Sequence, residues 1–392
     1  MISLLLAIIY VAFISLGLPD AILGSAWPSM YRGLGVSVSY AGVLSMIIAG
    51  GTIVSSLFSV KLIRRFGTGI VTTASVAMTA LALIGFSISG SFWLLCLWCI
   101  PYGLGAGSVD AALNNFVALH YKSRHMNWLH CFWGVGAAAG PFILGLCLSS
   151  GLSWTSGYRI IGSLQVALVL GLLFTLPAWR KAQSASDAGP EAHEKHNMID
   201  ILKSPGVWPV LLAFFCYCSL EVAAGLWASS YLVLHRGISE EAAAKMASLF
   251  YLGITAGRFL SGFMSGKLGD RRMVRLGQAL TLAGLMLLIL PLGEAALYAG
   301  LTVAGLGCAP IFPSLLHATP YSFGKARSQT IMGMQMAGAY TGSTLSPLLF
   351  GVFAGGGLIA LYPYYLIFFM AVMIFLSERA NRVTQAGGRS AA

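Results

Sequence analysis

Four ionisable side chains, Asp20, Asp110, Glu221 and Arg258, stand inside long apolar runs of this sequence. A charge at the centre of a bilayer costs about 2.5–3.5 kcal/mol on insertion scales, so one kept there marks an ion or solute path or an ion pair between helices. Residues three or four apart share a helix face. On that spacing Asp20 keeps company with Gly17, Gly24 and Trp27, Asp110 with Gly103, Gly107 and Asn114, and Glu221 with Gly225 and Ala228. Each acid therefore sits in a stripe of small or polar residues that water or a ligand can reach. Burial disfavours the charged form of a carboxylate, which suits these groups to binding a proton alongside a solute. Asn127, His130 and Gln335 offer donors and acceptors to a hydroxylated ligand, with packing as the alternative role for His130. Trp27 offers an apolar face to a flat ligand, or an anchor at the membrane surface.

The elements that hold these residues must be membrane helices. Of 392 residues 57% are hydrophobic and only 9% charged, against about 25% charged in soluble domains. Such a chain cannot cover a water-soluble surface, which excludes a soluble enzyme. One span needs about 20 apolar residues, and twelve segments qualify: 2–27, 40–60, 69–90, 92–118, 127–150, 157–178, 207–234, 242–265, 275–292, 295–318, 328–353 and 358–377. The tenth contains Cys308-Ala-Pro310-Ile-Phe-Pro313, where two prolines interrupt the hydrogen-bond ladder; Pro19 bends the first. Between the sixth and seventh lies a polar linker. The expected organisation is a six-helix bundle over 1–178, a cytoplasmic linker over 179–206 and a second bundle over 207–392.

Charge placement sets the orientation. With both termini inside, all Lys and Arg residues except Arg32, Arg159, Arg236, Lys245 and Arg258 fall on the inner side, as cytoplasmic loops require. The net charge of +11 thus reports membrane topology and not nucleic-acid binding. Seven cysteines all lie in apolar runs and read as small hydrophobes. No metal-ligand spacing, phosphate loop or nucleophile elbow is present, so neither catalysis nor a cofactor is expected, and active transport would draw on a proton or sodium gradient.

The halves echo each other. Pro141-Phe-Ile-Leu-Gly145 returns as Pro347-Leu-Leu-Phe-Gly351, and Arg64-Arg65 as Arg271-Arg272, at offsets of 206 and 207. Gly103-Leu-Gly105 and Gly305-Leu-Gly307 mark the fourth and tenth spans. Glycines four apart (Gly103 and Gly107, Gly253 and Gly257, Gly262 and Gly266) suit close helix packing. Two pseudo-symmetric six-helix bundles of this kind, all-α and twelve spans in total, are the major facilitator architecture.

Several motifs narrow this further. Gly107-Ser-Val-Asp110-Ala-Ala-Leu-Asn114-Asn115 resembles the fourth-span motif of the fucose permease type, the fucose–galactose–glucose:proton symporters, with Asp110 where that family has Glu. Leu18-Pro19-Asp20-Ala-Ile-Leu23 resembles its first-span acidic segment. Asn127-Trp-Leu-His130, Glu221-Val-Ala-Ala-Gly225, Gly257-Arg258 and Gly305 to Pro313 resemble further stretches of such chains. Gly266-Lys-Leu-Gly-Asp270-Arg271-Arg272 resembles the superfamily's loop motif, degenerate in the first half as Lys61-Leu-Ile-Arg64-Arg65. The resemblance implies Asp110 as the proton-coupling carboxylate, Asp20 as a substrate-side carboxylate, Asn114 and its neighbour Asn115 as sugar-binding positions, and Asp270 with Arg271, Arg64 and Arg65 as gating residues. Arg258 would be the counter-charge of Asp110 or Glu221. The expected function is proton-coupled uptake of a small polar solute, a hexose or deoxyhexose, by a multi-pass protein of the cell's inner membrane with no obligate protein partner. Rival readings are a proton-antiport exporter of drugs or metabolites and a transporter-like solute sensor.

Overall fold

The computed structural model describes residues 2–120, 123–183 and 201–389; most of the expected linker, 184–200, lies outside them. The described chain is helical throughout its long elements, with no strand among the described residues. Twelve helical paths follow one another. The first span is broken in two, Ile2–Asp20 and Ile22–Gly33, and the second to sixth are Tyr40–Phe66, Thr68–Ile88, Phe92–His120, Ser123–Ser149 and Trp154–Gln183. The sixth runs five residues into the segment expected to be linker, as a helix can once it leaves the bilayer. The seventh to ninth are Val207–Leu234, Glu240–Leu268 and Asp270–Ile289. The tenth is Glu294–Cys308 continued by Ile311–His317 and Thr319–Phe323, and the eleventh and twelfth are Lys325–Gly355 and Tyr362–Arg389.

Prolines explain the breaks. Pro19 has no N–H to give to the carbonyl of Ser15 four residues back. The Gln165 amide from the sixth span donates to that carbonyl instead, at 2.8 Å. Gln165 in turn accepts the Thr79 hydroxyl at 2.6 Å. The first span therefore breaks immediately after Asp20 without an orphaned carbonyl. In the tenth span the break falls at Ala309-Pro310, as its prolines dictate, and the Tyr217 hydroxyl donates to the Cys308 carbonyl at 3.0 Å.

Packing repeats across the halves. The second span packs on the fourth, the third on the fourth and sixth, and the first on the fifth; adding six to each number gives the eighth on the tenth, the ninth on the tenth and twelfth, and the seventh on the eleventh. A Cβ at Gly103 would meet the backbone of Ile48 and Gly51, and one at Gly305 the backbone of Phe250 and Ile254. Two of the three expected glycine pairs serve close packing in this way. Gly262 and Gly266 do not: both face open space.

Three seams join the halves: fifth to eighth, second to eleventh, and the outer part of the first to the seventh. They are tightest at the end away from the chain termini. There Gly24 abuts Gly225 and Leu226, Gly42 abuts Pro347 and Leu348, and Gly145 abuts Glu241 and Lys245. The Ser29 hydroxyl also donates to Glu240 across that end, at 2.5 Å. Toward the termini Gly262, Gly266 and Gly333 have nothing against them, so the halves splay apart there. Among the described residues ten spans are long and apolar enough to cross a membrane on composition; the eighth and eleventh are long but too polar to qualify. Both lie on seams, where protein and not lipid covers part of the surface, so polarity is tolerated.

Candidate functional site

Asp20 stands at the break midway along the first span, yet its side chain is exposed. An acid that far inside can be open to water only where it lines a cavity. Two neutral donors hold it: the Tyr102 hydroxyl at 3.0 Å and the Trp133 indole N–H at 2.8 Å. Asp110, half-buried on the fourth span, accepts the Asn114 amide at 2.9 Å, and the same amide reaches the Asp110 backbone carbonyl at 3.0 Å. The two acids lie close enough to interact electrostatically. His130, half-buried on the fifth span, packs edge-on against Phe13.

The other half faces this group with a different arrangement. Glu221 and Arg258 approach to 3.7 Å, with side chains 18% and 19% exposed. The Arg258 guanidinium lies over the Trp133 ring, 5.2 Å from its centroid. Tyr251 meets Trp133 edge-on, with ring centroids 6.5 Å apart. Tyr340 reaches from the eleventh span to Ser56 of the second, beside Asp110. A chain of contacts thus runs from Asp20 through Trp133 and Arg258 to Glu221, crossing from one half to the other. It brings carboxylate, amide, indole and guanidinium groups together beside a solvent-open acid, a set of hydrogen-bond donors and acceptors for a polar solute. Among the described residues no three His, Cys, Asp or Glu side chains converge as metal ligands.

Not every residue expected at the site joins it. Trp27 is fully buried, its indole N–H bonded to the Val38 carbonyl at 2.7 Å, so its ring fills the core instead of facing a ligand. Gln335 is also fully buried and accepts the Thr319 hydroxyl at 3.0 Å, tying the eleventh span to the end of the tenth. The side chains of Asn115, Asn127 and Arg64 lie outside the described residues. Arg65 lies over the Phe66 ring at 5.3 Å. Asp270 bonds His317 Nδ1 at 2.8 Å, a tie between the starts and ends of neighbouring spans in one half, and Arg271 stands near Glu378 in the same half. Glu378 also takes a two-pronged bond from Arg275, at 2.7 and 2.8 Å. Sequence reasoning gives Tyr102, Tyr251 and Tyr340 no role, and places Trp133 or Gly134 on one face with Asn127 and His130 without giving Trp133 a role of its own. Tyr102 lies eight residues before Asp110, and Trp133 three after His130, so shared helix faces were the available signal.

The family model described as Major Facilitator Superfamily matches residues 9–246 and 210–390. Bypass of stop codon protein 6 of Saccharomyces cerevisiae is 23% identical over 283 residues, 65% of this chain and 56% of that protein. The Glucose/mannose transporter GlcP of Bacillus subtilis is 22% identical over 265 residues, 66% of this chain and 65% of that protein. The matched region thus spans less than two thirds of either relative. Among solved structures, a mutant of the peptide transporter POT superposes with a TM-score of 0.74 at 15% identity, covering 97% of this chain and 95% of that one. That likeness concerns the fold.

Proposed function

The chain belongs to the Major Facilitator Superfamily, as a multi-pass membrane transporter, and from that premise we propose that it couples proton entry to uptake of a hexose or deoxyhexose. The observation that carries the reading is the solvent-open Asp20, held only by neutral donors and within electrostatic reach of Asp110. Asp110 takes the proton, Asp20 shares its charge and meets the solute, and Asn114 orients Asp110. Glu221 and Arg258 face the solute from the second half. A solute hydroxyl can both donate to a carboxylate and accept from Arg258, which supports a sugar over an apolar cargo.

The excess of Lys and Arg at the terminal end supports cytoplasmic termini in the cell membrane. On that orientation the seams close the outer end and the splayed end opens inward, one of the two arrangements alternating access requires. Closing the cavity over these acids is cheap when they are neutral and costly when they are charged and unbalanced, which ties the proton to the reorientation step. The test is uptake by proteoliposomes offered labelled hexoses, deoxyhexoses and polyols under imposed pH or sodium gradients. The reading expects accumulation of at least one hexose or deoxyhexose driven by an inward proton gradient. Accumulation driven by sodium alone, or only of non-sugar solutes, overturns it.

A further inference from the structure

The geometry points to Trp133 as the residue through which the two halves sense each other: its indole N–H serves Asp20 of the first half while its ring carries Arg258 of the second. It is a positioning residue, acting through those two groups. Three observations support it. The guanidinium of Arg258 makes no hydrogen bond among the described residues, so the Trp133 face and the 3.7 Å approach of Glu221 are what hold it. Gly134, next in sequence, lies against Thr255, which lets the fifth and eighth spans meet closely at this level. Tyr251 braces the same ring from its edge.

The chemistry follows from one bond. A charged carboxylate is a much stronger acceptor for an indole N–H than a protonated one. With Asp20 charged, the indole is pinned and offers its face to Arg258, and a cation over a tryptophan face gains about 0.5–2 kcal/mol. A proton on Asp20 releases the indole, and Arg258 loses its platform on the seam. Linkage makes this reciprocal: removing Arg258 must alter proton binding at Asp20. The groups facing Asp20 are Tyr102 and Asp110 of the fourth span, Trp133 of the fifth and Tyr251 of the eighth. Those facing Arg258 are Glu221 and Tyr217 of the seventh span, His130 and Cys131 of the fifth, and Cys308 of the tenth.

This inference rests on Asp20 exchanging a proton but on no particular solute, so its test uses none. The full chain is placed in lipid nanodiscs with ¹⁵N-labelled tryptophan, and Trp133 is identified as the indole signal that W133F removes from the nine. The expected result is a Trp133 signal that moves as pH changes over roughly 5 to 9 and stops moving in D20N. In R258L, and in R258Q should R258L fold poorly, the midpoint shifts by about half a pH unit or more, because the cation on the ring no longer favours the indole position that the charged carboxylate pins. A Trp133 signal indifferent to pH overturns the inference, as does a midpoint unchanged in both Arg258 variants. A merely structural Trp133 would leave those midpoints where they are. Failure of every sugar in the uptake panel, with this linkage intact, would sink the sugar reading and leave the coupling standing.

Discussion

The two halves share one scaffold and differ in how they keep an acid inside it. In the first, Asp20 and Asp110 receive hydroxyl, indole and amide donors, and among the described residues neither has a Lys or Arg within 4.0 Å. In the second, Glu221 has Arg258 at 3.7 Å. A carboxylate held only by neutral donors keeps its full charge in a medium where charge is expensive, and sheds it only by binding a cation. One with a resident guanidinium is already balanced. On the proposed reading, the movable ion belongs to the first half and the fixed charge to the second, with Trp133 between them.

The largest effect expected from that contrast is in D110N. Gradient-driven uptake falls about 100-fold, the lower end of what losing a proton-transfer group costs, while counterflow persists; equal loss of both would mean Asp110 serves binding, not coupling. Next come the features the halves share. G103A and G305A each push a methyl into a neighbouring helix backbone, at about 3 kcal/mol, the upper range for overpacking. Unfolding measured in nanodiscs should show the two losses matching within about 0.5 kcal/mol; a large inequality would limit the symmetry to the path of the chain. G266A, facing open space, is the control and should change little.

R258L strands Glu221 and costs about 2 kcal/mol, less than a fully buried pair because both side chains touch water. Adding E221Q should recover most of that loss in the same unfolding assay. No such rescue partner exists for Asp20 or Asp110 among the described residues, and finding one by a suppressor screen would erase the contrast. The smallest effect belongs to Q165L, which orphans the Ser15 carbonyl at the first-span break and costs about 1 kcal/mol. It should loosen the placement of Asp20, seen as weaker gradient-driven uptake, without touching the Glu221–Arg258 pair.

The helical class and the placement of all twelve helical paths were legible because apolar run length reports membrane thickness directly. The break at Ala309 was legible, and a bend near Asp20 where the structure has a full break, because a proline acts on its own carbonyl partner four residues back. The four charges stood out because they are costly in oil whatever surrounds them. What surrounds them was not legible. Trp133 bonds an acid 113 residues away and Tyr102 one 82 residues away, and such pairings depend on which helix faces meet. Helical spacing put Trp27 on the face of Asp20, but the break at Ala21 lies between them, so the shared face is lost and Trp27 turns into the core. Gln335 was given to the ligand because an amide offers both donors and acceptors to a hydroxylated solute. Its oxygen has a partner in Thr319, from the last helical piece of the tenth span, while among the described residues its amide nitrogen has none.

The central claim, that acids of the first half carry a proton inward with cargo, is tested most directly by watching the proton itself. Proteoliposomes with a pH dye inside and no imposed gradient would receive the hexose or deoxyhexose found in the uptake panel. The account predicts that sugar entry acidifies the lumen in wild type and fails to do so in D110N. Sugar entering wild-type vesicles with no change of internal pH would contradict it.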